Sequence, residues 1–179
     1  MPLRRIIAAL CSILLIAIVF ANGEDQQPGS IPGIENLRQV TPRILCGSQP
    51  ESAESFEALA RRGIKVIISV DGATPAIEEA HKHGLRYVHV PIGYGKIEPQ
   101  KRADLVEAVK TAGGPVFIHC HHGKHRGPAA AGYCGIATGE LTRDQGVQLL
   151  TVAGTRKDYT GLWDAIRQFE APTVPAGKL

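Results

Sequence analysis

The sequence predicts an α/β domain: a central, mostly parallel sheet of about four to five strands with helices on both faces. Three observations carry this expectation. Short β-branched apolar runs, KVIISV at 65–70, RYVHV at 86–90 and VFIH at 116–119, alternate with helix-length segments. Most of those segments stop at a glycine, as at Gly63, Gly84, Gly113 and Gly139. KVIISV, β-branched and apolar, reads as a buried strand by composition.

Taken in order, Arg43–Cys46 is the first strand candidate, followed by the turn Gly47-Ser48-Gln49-Pro50. A helix from about Glu51 sets Phe56, Leu59 and Ala60 on one side. Lys65–Val70 is a buried strand, Pro75–His83 a helix and Arg86–Val90 the next strand. Gln100–Ala112 is a helix with Leu105, Val106 and Val109 facing inward. Val116–His119 is a strand that runs into a loop, and a helix follows over Arg126–Thr138. Its Ala129, Ala130, Ala131, Gly132, Cys134 and Gly135 are small enough for close packing on a sheet. Thr142 and Gln145 form a capping box for a helix to about Val152, and a last helix starts near Thr160.

Ahead of this domain, Arg4 and Arg5 precede an apolar run from Ile6 to Ala21 broken only by Ser12, and the polar EDQQPGS follows. That is the pattern of a secretory leader over 1–23, with cleavage expected near Gly23. An uncleaved anchor is the alternative, although a run this short falls below the ~20 residues that usually span a bilayer. Residues 24–41 read as a polar linker, 42–171 as the domain and 172–179 as a tail. Residues 1–23 hold two arginines and no acid, so 18 basic residues then face 17 acidic ones. A net charge of +1 gives no general case for nucleic-acid binding. Cys46, Cys120 and Cys134 are too few and odd in number to build a disulfide scaffold.

In a mostly parallel sheet, ligands bind beyond the carboxyl ends of the strands. That rim gathers Gly47–Pro50, Asp71–Thr74, Pro91–Glu98 and Cys120–Arg126. The last of these lies within VFIHCHHGKHRGPAAAGYC, a stretch that packs four of the chain's seven histidines around Cys120. The cysteine has three possible uses: metal ligand, nucleophile, or core filler beside a basic turn. A strand, tight turn and helix N-terminus make a cradle of inward N–H groups with a favourable dipole for an anion. Gly123 permits backbone angles closed to other residues. Lys124, Arg126 and the dipole favour a thiolate at Cys120, and Arg126 offers a planar fork to a tetrahedral oxyanion. Thiolate, amides and arginine together describe phosphoryl transfer to sulfur. Against a metal, His119, Cys120, His121, His122 and His125 crowd seven consecutive residues, which cannot readily wrap one tetrahedral ion. No metal is therefore expected. The extra histidines are expected to add positive potential and donors.

His119-Cys120-x5-Arg126 resembles the signature loop of the cysteine-based protein tyrosine and dual-specificity phosphatases. ILCGSQP at 44–50 resembles the first strand and turn of their compact bacterial and atypical members, and GIKVII at 63–68 and HVPI at 89–92 resemble the strands that follow. The resemblance spans Val40 to Phe169. It implies a phosphocysteine on Cys120 and phosphate held by Arg126 and the 121–126 loop (His121, His122, Gly123, Lys124, His125). It implies that His119 orients the loop from behind, and it calls for no cofactor. The substrate would be a phosphorylated protein or small phosphate ester, with membrane contact only through an uncleaved leader.

Two departures stand out. The Ser or Thr usual after the arginine is Gly127, and the loop PIGYGKI at 91–97 has no acid, with Tyr94 or Gly95 where the family's aspartate falls. Glu98 and Asp71 are the candidate substitutes. A non-catalytic phosphate- or phosphoprotein-binding module and a sulfurtransferase with a persulfide on Cys120 are the competing functions. A reversible Cys46–Cys120 disulfide, and closure of GTRKDYTGLW at 154–163 over the site, complete the expectations.

Overall fold

The computed structural model describes residues 29–172; the leader expected over 1–23 and most of the tail lie outside the described residues. Five strands form one sheet in the order β1-β2-β5-β3-β4. These are β1 (Arg38–Thr41), β2 (Ile44–Ser48), β3 (Val66–Ser69), β4 (Arg86–His89) and β5 (Val116–Cys120). All pairings are parallel except the hairpin of β1 with β2. Fully buried β5 lies at the centre, paired with β2 and β3.

Helices cover both faces. On one, α1 (Ala53–Arg61) and α2 (Ile77–Lys82) enclose Phe56, Leu59, Ala80 and Leu85 against Leu45, Ile67 and Phe117 of the sheet. On the other lie α3 (Pro99–Lys110), α4 (Arg126–Ala137), α5 (Arg143–Val152) and α6 (Thr160–Arg167). There Ile44, Ile68 and Ile118 meet Leu105, Val109, Tyr133, Leu162, Trp163 and Ile166. The helix α4 is buried almost all round, which its run of alanines and glycines makes possible. The expected capping box is complete, with Gln145 N–H donating to Thr142 Oγ1 and Thr142 N–H to Gln145 Oε1.

The linker expected over 24–41 ends earlier than the composition suggests. Ile31 and Ile34 are only 3% and 7% exposed, and both join the cluster of Phe56 and Phe117. Arg38–Thr41 is a strand rather than a tether. The misreading comes from polar and Pro/Gly residues outnumbering two isoleucines that pack on an element distant in sequence. If 31–41 belongs to the domain, Ile34→Ala destabilises it by about 2–5 kcal/mol, the usual cost of truncating a buried isoleucine. Urea unfolding checks this; a true tether would leave the midpoint unchanged.

Candidate active site

Strand β5 delivers Cys120, 3% exposed, to the carboxyl edge of the sheet. The chain then turns through 121–125 into α4, whose first residue is Arg126. Four consecutive loop carbonyls are held from outside. His121 O accepts from Gln49 N at 3.2 Å and His122 O from Asn36 Nδ2 at 2.9 Å. Gly123 O accepts from Arg38 Nη1 at 3.4 Å, and Lys124 O from Thr155 Oγ1 at 2.7 Å. Because C=O and the following N–H of one peptide plane point in opposite directions, the amides of 122–125 are turned inward. Gly123 sits at φ 67°, and a Cβ there would lie 2.5 Å from Ser48 N and 2.8 Å from Gly47 O, so the loop packs backbone to backbone on β2.

Asp71 follows β3 and is nearly buried. Its Oδ2 accepts from the His121 N–H at 2.9 Å and pairs with Arg126 Nη2 at 2.5 Å, while Oδ1 accepts from Ala73 N–H at 3.0 Å. Burial alone would raise its pKa, but the His121 and Ala73 N–H bonds and the Arg126 charge hold the carboxyl below its usual range. Asp71 is thus an ionised strut for the clamp and does not serve as the proton donor expected of it. His89 Nε2 bonds the Asp71 carbonyl at 2.7 Å and fixes its backbone. The Arg126 Nε is buried without a partner and remains for an anion.

Glu98, the other candidate acid, sits at the start of α3 with its exposed carboxylate on Lys96 Nζ at 3.1 Å. This places it in solvent as an ion-pair partner, outside the cradle. His121 and His122 are exposed and line an open cleft of about 460 Å3 with Glu35, Ser48, Gln49 and Glu51. Their backbones take part in the anchoring bonds, and their rings pack edge-on at 4.3 Å. His125 packs edge-on against Tyr159 at 5.0 Å. Burial first, then the neighbouring Arg156, His122, Lys124 and Arg126, push its pKa below the ordinary value.

His119, which the resemblance expects to orient the loop, packs its side chain on residues of β5 and β4. It is fully buried, stacked on Phe117, and shares a 2.7 Å hydrogen bond with the Tyr87 hydroxyl through Nε2. Burial outweighs the Asp71 charge and pushes its pKa down to about 4; burial likewise pushes Tyr87 up to about 12, so both are neutral. Among the described residues no group of three or more His, Cys, Asp or Glu side chains is arranged to hold a metal.

Cys46 and Cys134 are buried free thiols pushed up to about 12 by desolvation. Cys46 is level with Ile118, and Cys120 with Ser48, a two-residue offset between neighbouring strands. Strand geometry then separates the two cysteines by ~8 Å between Cα atoms, too far for a disulfide without backbone movement. The 154–163 stretch does reach the site. Thr155 anchors the loop, and Tyr159 stacks at 4.2 Å on Tyr94, whose ring lies 4.7 Å from the Arg126 guanidinium carbon. Lys157 instead lies over the Trp163 ring. Sequence reasoning missed Asn36, Arg38, Gln49 and Thr155 as loop anchors. Gln49, in the turn already placed on the rim, and Thr155, in the 154–163 stretch expected to close over the site, carried a signal, whereas Asn36 and Arg38 carried none.

No protein-family model and no curated protein matches the sequence. Solved structures do match. TpbA of P. aeruginosa is 18% identical, with 78% of this chain covering 92% of that one at a TM-score of 0.64. The core catalytic domain of the PP-IP phosphatase SIW14 of S. cerevisiae, solved with citrate, is 20% identical, with 79% of this chain on 89% of that one and a TM-score of 0.66. Tk-PTP in its active form is 14% identical, with 79% of this chain on 100% of that one and a TM-score of 0.61. The chain has the fold of the cysteine-based tyrosine and dual-specificity phosphatases.

Two outcomes follow from this geometry. Gly123→Ala forces a side chain into β2 and an unfavourable φ, a cost of ~1–2 kcal/mol from conformation alone. Phosphate or vanadate is expected to raise the melting temperature of the wild type, and Gly123→Ala to remove that rise. The second concerns pH. His119 takes up a proton at about 4 when folded and ~6.5 when unfolded, so the unfolded state binds more protons between these values. Stability is therefore complete above ~pH 6.5 and falls by roughly 3 kcal/mol as pH drops towards 4. Urea unfolding across that range, with a shallower fall in His119→Asn, checks the assignment.

Proposed function

We propose that the chain is a cysteine-dependent phosphatase that hydrolyses phosphate monoesters through a phosphocysteine on Cys120. The carrying observation is the set of four outward-anchored carbonyls, which leaves a ring of amides between a cysteine and the first turn of α4. That ring fits three equatorial phosphoryl oxygens. Arg126, held at Nη2 by Asp71, adds a charged donor from a fixed direction. The Cys120 thiolate attacks phosphorus, the ester oxygen departs, and water then cleaves the sulfur–phosphorus bond to return the thiolate. The phosphatases that share the fold support the reading.

Gly127 bears on the second half of the cycle. A Cβ built there would lie 3.5 Å from Cys120 Sγ, so a hydroxyl at this position would sit beside the departing sulfur, and here none does. The phosphocysteine should accordingly be long-lived. Export is part of the proposal and rests on the leader pattern of 1–23; mass analysis of the N-terminus of protein recovered outside the cytoplasm tests it.

Hydrolysis of an activated aryl phosphate under reducing conditions tests the chemistry. Cys120→Ser is expected to reduce release to background, and Arg126→Lys to lose ~10²-fold or more by giving up the two-pronged contact. A folded wild type that binds vanadate yet releases no phosphate leaves a binding module instead.

A further inference from the structure

The tip of the 91–97 loop is located by packing. Ile92 and Ile97 are buried at its two ends, where the Ile92 N–H donates to Val70 O at 3.3 Å and Arg102 Nε donates to Ile97 O at 2.8 Å. Between them Gly93, Tyr94, Gly95 and Lys96 are exposed, and among the described residues none of their backbone groups is hydrogen-bonded. Two glycines in four residues leave such a tip many conformations. Yet Tyr94 is closed in on three sides, by the Tyr159 ring at 4.2 Å, the Arg126 guanidinium carbon at 4.7 Å and the edge of His125 at 6.4 Å.

The backbone beside this ring meets α6. A Cβ built on Gly161 would overlap the Gly95 carbonyl and lie 2.5 Å from the Lys96 nitrogen, so helix and loop touch main chain to main chain. The helix has no room to retreat. Its Ile166 fills the space that Gly132 of α4 and Gly146 of α5 leave open, 3.3 and 2.9 Å from a Cβ built on each. Leu162, Trp163 and Ile166 are buried, and Trp163 Nε1 donates to Arg156 O at 2.9 Å. A Cβ on Gly95, in contrast, meets nothing within 4 Å. A side chain at 161 therefore displaces the loop tip rather than the helix.

We propose that Gly161 is a positioning residue of this site: by carrying no side chain it lets α6 clasp the 91–97 loop, and that clasp seats Tyr94 on Arg126. The inference rests on the phosphatase reading. Arg126 is held at Nη2 by Asp71 and covered on one face by Tyr94, while its buried Nε has no partner. Both restraints are in place before an anion arrives, so the guanidinium loses little freedom on binding one. Gly161 acts on Arg126 only through the loop and touches no reacting atom. The chain just before α6 also holds the cysteine loop, since Thr155 Oγ1 donates to Lys124 O. One connection thus braces both loops of the site.

The test uses the full-length protein and reads two quantities, kcat/KM for an activated aryl phosphate and the dissociation constant for vanadate. Alanine is a better helix former than glycine, so Gly161→Ala is expected to keep or raise the melting temperature. It should nonetheless lower kcat/KM and weaken vanadate binding about tenfold, the worth of a partly desolvated cation–π contact. Tyr94→Ala should do the same, and the double variant should lose no more than either single one. Gly95→Ala should match the wild type. Hydrogen exchange gives the structural readout: amides of 93–97 are expected to exchange faster in Gly161→Ala, with those of α6 unchanged. Wild-type values in Gly161→Ala overturn the proposal, as does a double variant whose loss is the product of the two single losses. So does faster exchange in α6, since the helix would then have yielded, or an unchanged rate over 93–97. A wild type that binds vanadate yet turns over no aryl phosphate overturns the phosphatase reading instead, and the vanadate constants then decide the role of Gly161.

Discussion

The site depends on the direction in which four peptide planes face. Each anchoring hydrogen bond from Gln49, Asn36, Arg38 and Thr155 contributes only ~1 kcal/mol, yet together they decide an orientation. Left free, a turn of this length would rotate its amides to water. Held by their carbonyls, those amides converge on the space above Cys120 and present partial positive charge that needs no rearrangement when an anion arrives. The direction of the loop amides is thus set by groups that lie outside the loop.

Charge around the cradle is balanced in a similar indirect way. Asp71 neutralises part of Arg126 and consumes the first loop amide, which lowers the net positive potential. In exchange, the guanidinium is fixed with its buried Nε unpartnered. The fixation extends outward: His89 holds the Asp71 carbonyl, Tyr94 covers the guanidinium face, and Tyr159 backs Tyr94. Residues from the turn after β3, from β4, the 91–97 loop and the α5–α6 connection therefore all converge on one arginine.

The parts legible in the sequence are those encoded locally. The composition of Val116–Cys120, Gly123, the spacing to Arg126 and the small residues of α4 announce a strand, a tight loop and a close-packed helix within one short stretch. The first strand and the four anchors are not local. Asn36 and Arg38 lie 86 and 85 residues from their partners, and Thr155 lies 31 away, so no window of sequence contains both ends. Ile31 and Ile34 were hidden by polar neighbours, although two apolar residues three apart suffice to dock a segment. Asp71 was found as an acid near the rim, but its role depends on its partners. An aspartate on an arginine and two amides is a strut, and the same residue in an apolar pocket would have been a donor.

The Asn36 and Arg38 contacts also impose an order on assembly. During synthesis these residues emerge some 85 positions before the loop they secure, so they wait unpartnered while the sheet between them is made. Central β5 must insert between β2 and β3 before His122 and Gly123 come within reach. The turn is consequently among the last features to close, and a nascent chain halted before residue 122 has the cysteine but none of the oriented amides beside it.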